Sequence, residues 1–410
     1  MKTTALVLCA LFVLAACHKT LQPPQKPVNP DSTLQPVITP APVDSAMSFV
    51  VFTRDLDTVL ERRSFLQSFT IGGGLQWTDD FGGEVLSYGA AYGNNTLYPG
   101  ASYFAWLGAV GSSPTVSYGK LYALNAGTGA VKWSYLDSNF VASVPALVDT
   151  TLILPELGAL YGFGAGSGQM DFATGVPNGL NFTPVVDGNT MFVPTASLYA
   201  AYYSIVALDI PSHSIIWTTP IGVNPPAGLI SSHGLLVLTG GTQDMIALDE
   251  STGSVKWTVG DQQYSGQKIV VDSVLIVPNN QSPLGLYGFD LYTGALRWQW
   301  NMKGITVSLN WLYQYGKTVY VYGLGENEGF LQGINPLTGD SVSHAEFANY
   351  YSQPVYAGHS VYALTGLGSG SGSAHFYRLD AATFAPRDSV VLQGYDFYWM
   401  HVLTQSGKML

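Results

Sequence analysis

The chain has 410 residues, of which 10% are charged and 47% hydrophobic, and its 27 acidic and 16 basic residues give a formal net charge of −11. This acidic balance disfavours binding to nucleic acid, or to anionic lipid, through a basic patch. The two cysteines are Cys9 and Cys17, so disulfides and thiol catalysis are excluded from the chain beyond residue 17.

Residues 1–16 have the pattern of a secretory signal. A lysine follows Met1, and Ala5 to Ala16 is an apolar run too short for a transmembrane helix, which takes about 20 residues. The run leads into Leu14-Ala-Ala-Cys17, which resembles the lipobox of bacterial lipoprotein signals. The resemblance implies cleavage before Cys17 and lipidation of that cysteine, with His18 favouring the outer membrane. No acidic run follows Cys17, which favours an orientation towards the periplasm. An ordinary secretory signal with a chance cysteine is the alternative.

Residues 17–47 are predicted to be a tether that follows the lipidated cysteine. Seven prolines lie among polar residues in this stretch. Such a segment has little apolar surface to bury and tends towards polyproline extension, up to about 3.1 Å per residue. The folded domain is therefore predicted to be residues 48–410, attached to the membrane through the lipid anchor only.

A nine-residue phrase recurs along that domain. The clearest copies are Asn125 to Trp133, Asp249 to Trp257 and Asp290 to Trp298, and weaker copies begin at Gly164, Asp209, Asn335 and Asp380. Successive copies begin 39 to 45 residues apart. This is the spacing of propeller blades, each a four-stranded sheet that cannot bury both faces alone.

Each copy is predicted to be a β-hairpin, because an apolar run precedes it and turn residues follow. An Asp or Asn at position 1 can accept hydrogen bonds from the turn amides, and a glycine at position 5 supplies a positive φ. The position 1 residues are Asn125, Asp209, Asp249, Asp290, Asn335 and Asp380, and the main glycines are Gly129, Gly253, Gly294 and Gly339.

An aromatic residue closes most copies at position 9. We interpret these rings as packing elements between neighbouring blades rather than as ligand-stacking groups. They are Trp133, Phe172, Trp217, Trp257 and Trp298, with Trp77 in the corresponding place upstream.

The Ala-Leu-Asp-x-x-Thr-Gly-x-x-x-Trp phrase resembles the repeat of the PQQ-like (quinoprotein-type) β-propeller family. The resemblance covers about residues 49–410 and is weaker at both ends, where Ser343 and Asp388 stand in place of the tryptophan. The family includes quinone-dependent alcohol dehydrogenases and non-enzymatic outer-membrane assembly lipoproteins, so it implies an all-β propeller with either kind of function.

Eight blades are predicted, with seven as the alternative. Phe69 to Trp77 keeps the glycine and tryptophan places and is interpreted as an eighth hairpin. Tyr395 to Leu403 is predicted to join it in one sheet and so to close the ring. The long interval between Trp77 and Asn125 is predicted to hold a loop insertion, from Tyr98–Tyr103 to 111–114.

No constellation of catalytic residues is recognised, so we expect no enzymatic activity, no cofactor and no metal. Quinone-dependent relatives need a calcium site and, in many members, adjacent cysteines, which this chain lacks. The histidines are scattered singly. Glu326 and Glu328 are interpreted as a solvated turn, and Gly366–Ser373 as a flexible connector.

These features favour a scaffold that presents its loops and faces to a protein partner in the cell envelope. By resemblance, that partner belongs to outer-membrane protein assembly. A glycan-binding or glycan-processing propeller is the alternative, prompted by Tyr202-Tyr203, Tyr350-Tyr351 and Tyr395 to Trp399. A quinone-dependent dehydrogenase is the remote alternative.

Overall fold

A computed structural model describes the chain between residues 46 and 405 in segments. These are 46–55, 63–82, 84–105, 115–137, 144–156, 158–176, 184–196, 203–222, 226–240, 245–260, 264, 267–279, 284–302, 309–324, 329–347, 352–365, 373–393 and 396–405. The predicted signal, Cys17 and nearly all of the predicted tether lie outside these residues. No described segment is a helix with the length and hydrophobicity needed to cross a bilayer.

The described residues form eight antiparallel sheets of four strands each, which confirms the predicted eight-bladed β-propeller. The first-listed strand of each blade below faces the ring axis, because these strands contact one another from blade to blade. Blade 1 contains β32 (Asp396–Thr404), β1 (Ala46–Asp55), β2 (Arg63–Thr70) and β3 (Leu75–Asp80). Blade 2 contains β4 (Glu84–Gly93), β5 (Thr96–Ala105), β6 (Thr115–Asn125) and β7 (Val131–Asp137). Blade 3 contains β8 (Ala146–Val148), β9 (Thr151–Glu156), β10 (Ala159–Gly164) and β11 (Met170–Gly175).

The remaining five blades repeat this order. Blade 4 contains β12 (Val185–Asp187), β13 (Thr190–Ala196), β14 (Tyr203–Asp209) and β15 (Ser214–Gly222). Blade 5 contains β16 (Pro226–Ser232), β17 (Leu235–Gly240), β18 (Met245–Asp249) and β19 (Val255–Val259). Blade 6 contains β20 (Ile269–Val271), β21 (Val274–Asn279), β22 (Gly285–Asp290) and β23 (Leu296–Asn301). Blade 7 contains β24 (Leu309–Tyr315), β25 (Thr318–Leu324), β26 (Gly329–Ile334) and β27 (Ser341–Phe347). Blade 8 contains β28 (Ser352–Ala357), β29 (Ser360–Thr365), β30 (Ser373–Asp380) and β31 (Pro386–Gln393).

The ring is closed by pairing between the two ends of the chain. Strand β32 lies antiparallel to β1, with Phe49 opposite Val402 and Val51 opposite Met400. The hairpin from Phe69 to Trp77 supplies the outer part of the same blade, as the sequence predicts. Closure in this way leaves no sheet with an unpaired inner strand.

The hydrophobic core is divided among the contacts between consecutive blades. The described residues form eight hydrophobic clusters, and each cluster combines side chains from two neighbouring sheets. For example, Trp77 of blade 1 and Leu97 of blade 2 share one cluster, and Phe49 of blade 1 and Phe376 of blade 8 share another. Each blade therefore buries its two faces only because a blade follows on either side.

The predicted loop insertion at Tyr98–Tyr103 is wrong. These residues lie in β5, where Leu97, Tyr98 and Ala101 are buried, so the residues have packing partners that a surface loop would lack. Part of the extra length between Trp77 and Asn125 is taken up by the long strands β4, β5 and β6, of 10, 10 and 11 residues. Residues 111–114 lie outside the described segments.

Candidate functional site

The repeated hairpin turn is held by the side chain of its position 1 residue. In blade 5 the Oδ1 atom of Asp249 accepts hydrogen bonds from the backbone N–H groups of Ser251 and Thr252, both at 3.0 Å, and the Gly253 N–H donates to the Asp249 carbonyl at 2.8 Å. The same arrangement recurs at Asn125, Asp290 and Asp380. In these blades the side-chain oxygen of position 1 is therefore used to hold the turn.

The position 9 tryptophans join one blade to the next. The indole N–H of Trp257 donates to the carbonyl of Leu291, which is position 2 of the following blade, at 2.9 Å. Trp77, Trp133, Trp217 and Trp298 make the equivalent bonds to Ala126, Ala165, Glu250 and Pro336. We call the contact between consecutive blades a joint and label it by the two blade numbers.

Position 2 also connects each joint to the inner part of its own blade. The Leu291 N–H donates to the carbonyl of Ser273, in the turn between the two inner strands of blade 6, at 2.9 Å. Five further blades with a described position 2 show the same bond: Ala126 to Asn95, Ala165 to Thr150, Ile210 to Asn189, Glu250 to Gly234 and Ala381 to His359. In blade 7 position 2 is Pro336, which has no N–H to donate. The position 2 residue thus accepts from the previous tryptophan through its carbonyl and donates to the inner turn through its N–H.

Where a tryptophan of the preceding blade packs against position 5, glycine is needed there for two reasons. Gly294 has φ +69°, and a Cβ atom added there would lie 2.7 Å from Cε3 of Trp257. The other four pairs of this kind are Gly129–Trp77, Gly168–Trp133, Gly253–Trp217 and Gly339–Trp298. The indole therefore lies directly against the backbone of the next turn.

Joint 3/4 replaces both partners of the tryptophan–glycine pair. Phe172 stands at position 9 and His213 at position 5 of the next turn, with φ +57°. Their rings stack with centroids 3.7 Å apart and planes inclined by 17°. Sequence reasoning missed His213, although a histidine aligned with five glycines was a readable signal.

Joint 7/8 replaces the pair in another way. Ser343 stands in place of the tryptophan, and position 5 of blade 8 is Phe384, which is completely buried and stacks with Tyr322 at 5.6 Å. The hydroxyl of Tyr313 donates to the Ala381 carbonyl at 2.8 Å, the acceptor that an indole N–H uses at other joints. Burial raises the pKa of Tyr313 well above its usual value, so the hydroxyl stays protonated.

Joint 8/1 has neither an indole nor a stacked ring at position 9. Asp388 takes that place and forms an ion pair with Arg378. A Cβ atom added at Gly73 would lie 2.2 Å from Cγ1 of Val390, so the valine fills the space that an indole fills elsewhere.

A cation at position 8 neutralises position 1 in three blades. The ion pairs are Asp249–Lys256 at 2.9 Å, Asp290–Arg297 at 2.5 Å and Asp380–Arg387 at 2.6 Å. Burial alone would raise the pKa of Asp380, but Arg387 and the turn amides hold it at about 2. In blade 4 position 8 is Ile216, and in blade 3 it is Asp171.

Charge is unevenly distributed around the ring. No Lys or Arg occurs between Lys132 and Lys256, an interval that contains blades 3 and 4 and the inner strands of blade 5. The same interval contains nine acidic residues: Asp137, Asp149, Glu156, Asp171, Asp187, Asp209, Asp244, Asp249 and Glu250. Most of the net negative charge of the chain therefore comes from three consecutive blades.

The outermost strands expose apolar side chains next to the turns. Position 7 is exposed and apolar in blades 2 to 6, where it is Val131, Met170, Ile215, Val255 and Leu296. Blade 4 adds Ile216, so two exposed isoleucines, 37% and 47% accessible, stand side by side. Isolated exposed apolar residues are ordinary, but adjacent ones on an outer strand mark a candidate contact surface.

The described histidines are not brought together. His233 contacts Tyr292, His344 pairs with Glu346 at 3.2 Å, His359 contacts Tyr315, His375 stacks on Tyr377 and His401 contacts Phe52. Of the tyrosines proposed for glycans, Tyr203 is half-buried in β14. Tyr202, Tyr350, Tyr351, Tyr395, Glu326 and Glu328 lie outside the described residues.

Metal-binding side chains are not clustered in the described residues. Within the segments described, no group of three or more His, Cys, Asp and Glu side chains could hold a metal ion. A cavity of about 470 Å³ opens between the inner turns of blades 1, 2 and 3, and its lining includes Tyr92, Asn95, Leu147, Asp149 and Gln405. Asp149 is the only carboxylic acid in that lining, so no catalytic step is assigned there.

A family profile described as "Outer membrane protein assembly factor BamB" matches residues 164–383. This interval is more than half of the chain, and it runs from the turn of blade 3 to the turn of blade 8. Among curated proteins, the tetrathionate hydrolase of Acidithiobacillus ferrooxidans is 23% identical over 282 residues, covering 60% of this chain. The chain spans 54% of the length of that relative.

Solved structures share the fold. The crystal structure of BamB from Moraxella catarrhalis superposes with a TM-score of 0.55 at 16% identity, over 80% of this chain and 97% of that one. The quinohemoprotein alcohol dehydrogenase ADHIIG from Pseudomonas putida HK5 gives a TM-score of 0.52 at 11% identity, over 76% of this chain and 68% of that one. At these identities the likeness concerns the fold alone.

Proposed function

The chain belongs to the family of the outer membrane protein assembly factor BamB, and on this premise we propose that it is a non-catalytic binding propeller that acts in outer-membrane protein assembly. The observation that carries the proposal is the extent of the family match, which includes six consecutive repeat turns, from Gly164 to Thr383. The partner is an envelope protein that contacts the outer surface of the ring.

The use of the repeat residues supports a binding role. Asp249, Asp290 and Asp380 accept hydrogen bonds within their own turns and form ion pairs with the position 8 cations. The tryptophans are committed to the joints between blades. The polar residues of the repeat therefore serve the structure of their own turns. The variable positions of the outer strands are available to distinguish partners.

The proposal includes the location of the ring. Cys17 is its lipid anchor, residues 17–47 are its tether, and the propeller faces the periplasm at the outer membrane. Dual or triple acylation at one cysteine supplies the several acyl chains that stable anchoring needs, at about 0.8 kcal/mol for each buried CH₂. The tether gives the ring reach away from the bilayer.

Deletion of the gene tests the assembly role. We expect lower levels of integral outer-membrane proteins in the deletion strain, restored by the full chain. Cys17→Ala should restore them less and should leave the protein in the soluble fraction, whereas Cys9→Ala, a matched change within the signal, should behave as the full chain does. Unchanged outer-membrane protein levels would contradict the proposal.

Crosslinking in cells tests the partner class. Recovery of components of the outer-membrane protein assembly machinery supports the proposal, and their consistent absence opposes it. Calorimetric titration with envelope glycans separates the alternative, because a glycan-binding propeller gives saturable heat where a protein-binding one gives none.

A further inference from the structure

Strand β15 is an outer strand without a charge. Its sequence from Ser214 to Gly222 contains no Asp, Glu, Lys or Arg, whereas the outermost strands of blades 2, 5, 6 and 8 carry a cation at position 8. Edge strands in soluble proteins are commonly protected from pairing by charged side chains, above all lysine. In β15 the position that holds this cation in other blades is Ile216, which is exposed, and its neighbour Ile215 is exposed as well.

The change at position 8 also leaves Asp209 without the cation that its counterparts have. Asp209 accepts hydrogen bonds from the Ser212 backbone N–H at 2.9 Å and from the Ser212 hydroxyl. These hydrogen bonds lower the pKa of Asp209, with the Ser212 hydroxyl making the largest contribution, so the carboxylate is charged at neutral pH. Blade 4 thus presents an anionic carboxylate beside exposed apolar side chains.

The surroundings of β15 are acidic on the side of the next blade. The indole N–H of Trp217, within β15, donates to the carbonyl of Glu250 at 2.9 Å. The side chain of Glu250 accepts a hydrogen bond from the Ser231 hydroxyl at 2.5 Å and lies near Asp187. No Lys or Arg exists in blades 3 and 4 to neutralise these groups.

We propose that β15 is the docking edge for an extended segment of a partner polypeptide in which apolar and basic residues alternate. The segment adds an outer strand to blade 4, its apolar residues cover Ile215 and Ile216, and one Lys or Arg takes the place of the missing cation beside Asp209. Pro220 has no N–H, so the backbone pairing is confined to the residues before it. This inference rests on the proposed function and specifies where the partner binds.

The charge of blades 3 to 5 selects this occupant over a second copy of the chain. Two copies paired through β15 would bring two cation-free, acidic surfaces together, and like charges across an interface oppose association. A basic segment gains from the same charges that a second copy would repel.

Position 8 of blade 7 supplies a matched control. Val342 is 55% exposed and, like Ile216, stands where a cation stands in other blades. Position 1 of its blade is Asn335, which is uncharged, rather than an aspartate. The probe is a fluorescein-labelled peptide of alternating valine and lysine, measured by anisotropy against the full chain. A peptide of alternating valine and glutamate is the comparison.

We expect Ile216→Lys to weaken binding of the valine–lysine peptide by about tenfold or more, and Val342→Lys to change it less than about twofold. The valine–glutamate peptide should not bind. Hydrogen exchange should show new protection of residues 214–219 in the complex. Ile216→Lys should keep the melting temperature, because its ammonium group can pair with Asp209, so weaker binding would not reflect unfolding.

Equal effects of the two substitutions, or equal binding of the two peptides, would overturn the proposal. A dimer in sedimentation analysis that Ile216→Lys dissociates would assign β15 to a second copy instead. If assembly components still crosslink to the chain carrying Ile216→Lys, the docking site is wrong and the proposed function stands. If the peptide binds β15 but gene deletion leaves outer-membrane proteins unchanged, the function is wrong and the docking edge stands.

Discussion

Phe172 and His213 stack face to face between blades 3 and 4, with ring centroids 3.7 Å apart, where five other joints hold a tryptophan against a glycine. The two residues are 41 positions apart in sequence, and each departs from the repeat. At this joint the smaller ring at position 9 is therefore accompanied by a larger residue in the facing turn.

The paired exchange predicts strong coupling between the two positions. Phe172→Trp alone should be destabilising because the indole meets the imidazole, and His213→Gly alone should leave Phe172 without its stacking partner. The double substitution recreates the common joint. We expect a coupling free energy of about 1 kcal/mol or more in a double-mutant cycle from denaturant unfolding. Additive single effects would contradict it.

Gly294 should be less replaceable than another glycine of similar backbone conformation. Gly234→Ala introduces a Cβ atom at φ +76° with open space around it, and we expect a loss of about 1 kcal/mol. Gly294→Ala adds the overlap with Trp257 to a similar backbone cost, so its loss should be at least about twice as large. Thermal unfolding of the two variants measures the difference, and equal losses would show that the indole does not restrict the turn.

Tyr313 should stabilise joint 7/8 through its hydroxyl. Tyr313→Phe leaves the Ala381 carbonyl without this donor in a buried position, and we expect a loss of about 1–3 kcal/mol. Tyr315→Phe is the control, because that hydroxyl makes an exposed contact with His359 at 3.2 Å. Urea unfolding should show the larger loss for Tyr313→Phe, and the reverse order would refute the role.

The Asp380–Arg387 pair predicts a stability change at low pH. The pKa of Asp380 is about 2 in the folded chain, below its ordinary value of 3.8, so the contribution is present above about pH 4 and is lost as the pH falls towards 2. Because both side chains are substantially exposed, we expect less than about 1 kcal/mol. Unfolding measured from pH 5 to pH 2 should show a smaller decline for Asp380→Asn and for Arg387→Gln than for the natural chain.

Ring closure should depend on buried residues of β32. Leu403 is completely buried in the cluster shared by blades 1 and 2, and Leu403→Ala should cost about 2–5 kcal/mol. Gln405→Ala, at an exposed position just beyond the strand, should have no measurable effect. Limited proteolysis should cut the first variant faster near both chain ends. Equal resistance of the two variants would mean that the closing strand contributes little.

The sequence predicted the parts of the fold that are local or strictly repeated. The Thr-Gly turns indicated the hairpins, and the spacing of Asn125, Asp249 and Asp290 indicated the blades. The pairing of the last strand with the first followed from the incomplete hairpin that ends at Trp77. These predictions succeeded because turn chemistry and a fixed period are visible without any knowledge of tertiary contacts.

The compensations at irregular joints could not be predicted in the same way. Tyr313 and Ala381 are 68 residues apart, and nothing in their local sequence shows that a phenol donates where an indole usually does. Tyr98 to Tyr103 resembled a loop because Pro99 and Gly100 are turn residues, but they lie in β5, where Pro99 is opposite Ala90 and Gly100 is opposite Leu121. The lack of any cation between Lys132 and Lys256 was visible, but its position around the ring was not.

Joints of different construction give the ring a mechanical pattern. Tryptophan–glycine contacts connect blades 1 to 3 and, separately, blades 4 to 7. Joints 3/4, 7/8 and 8/1 are formed by other side chains. The described chain begins in β1 of blade 1, beside the joint closed by Val390, so we expect a pull on the proposed tether to act on blade 1 first. We expect blades 8 and 1 to separate before any other pair, while blades 1 to 3 and blades 4 to 7 stay joined through their tryptophans.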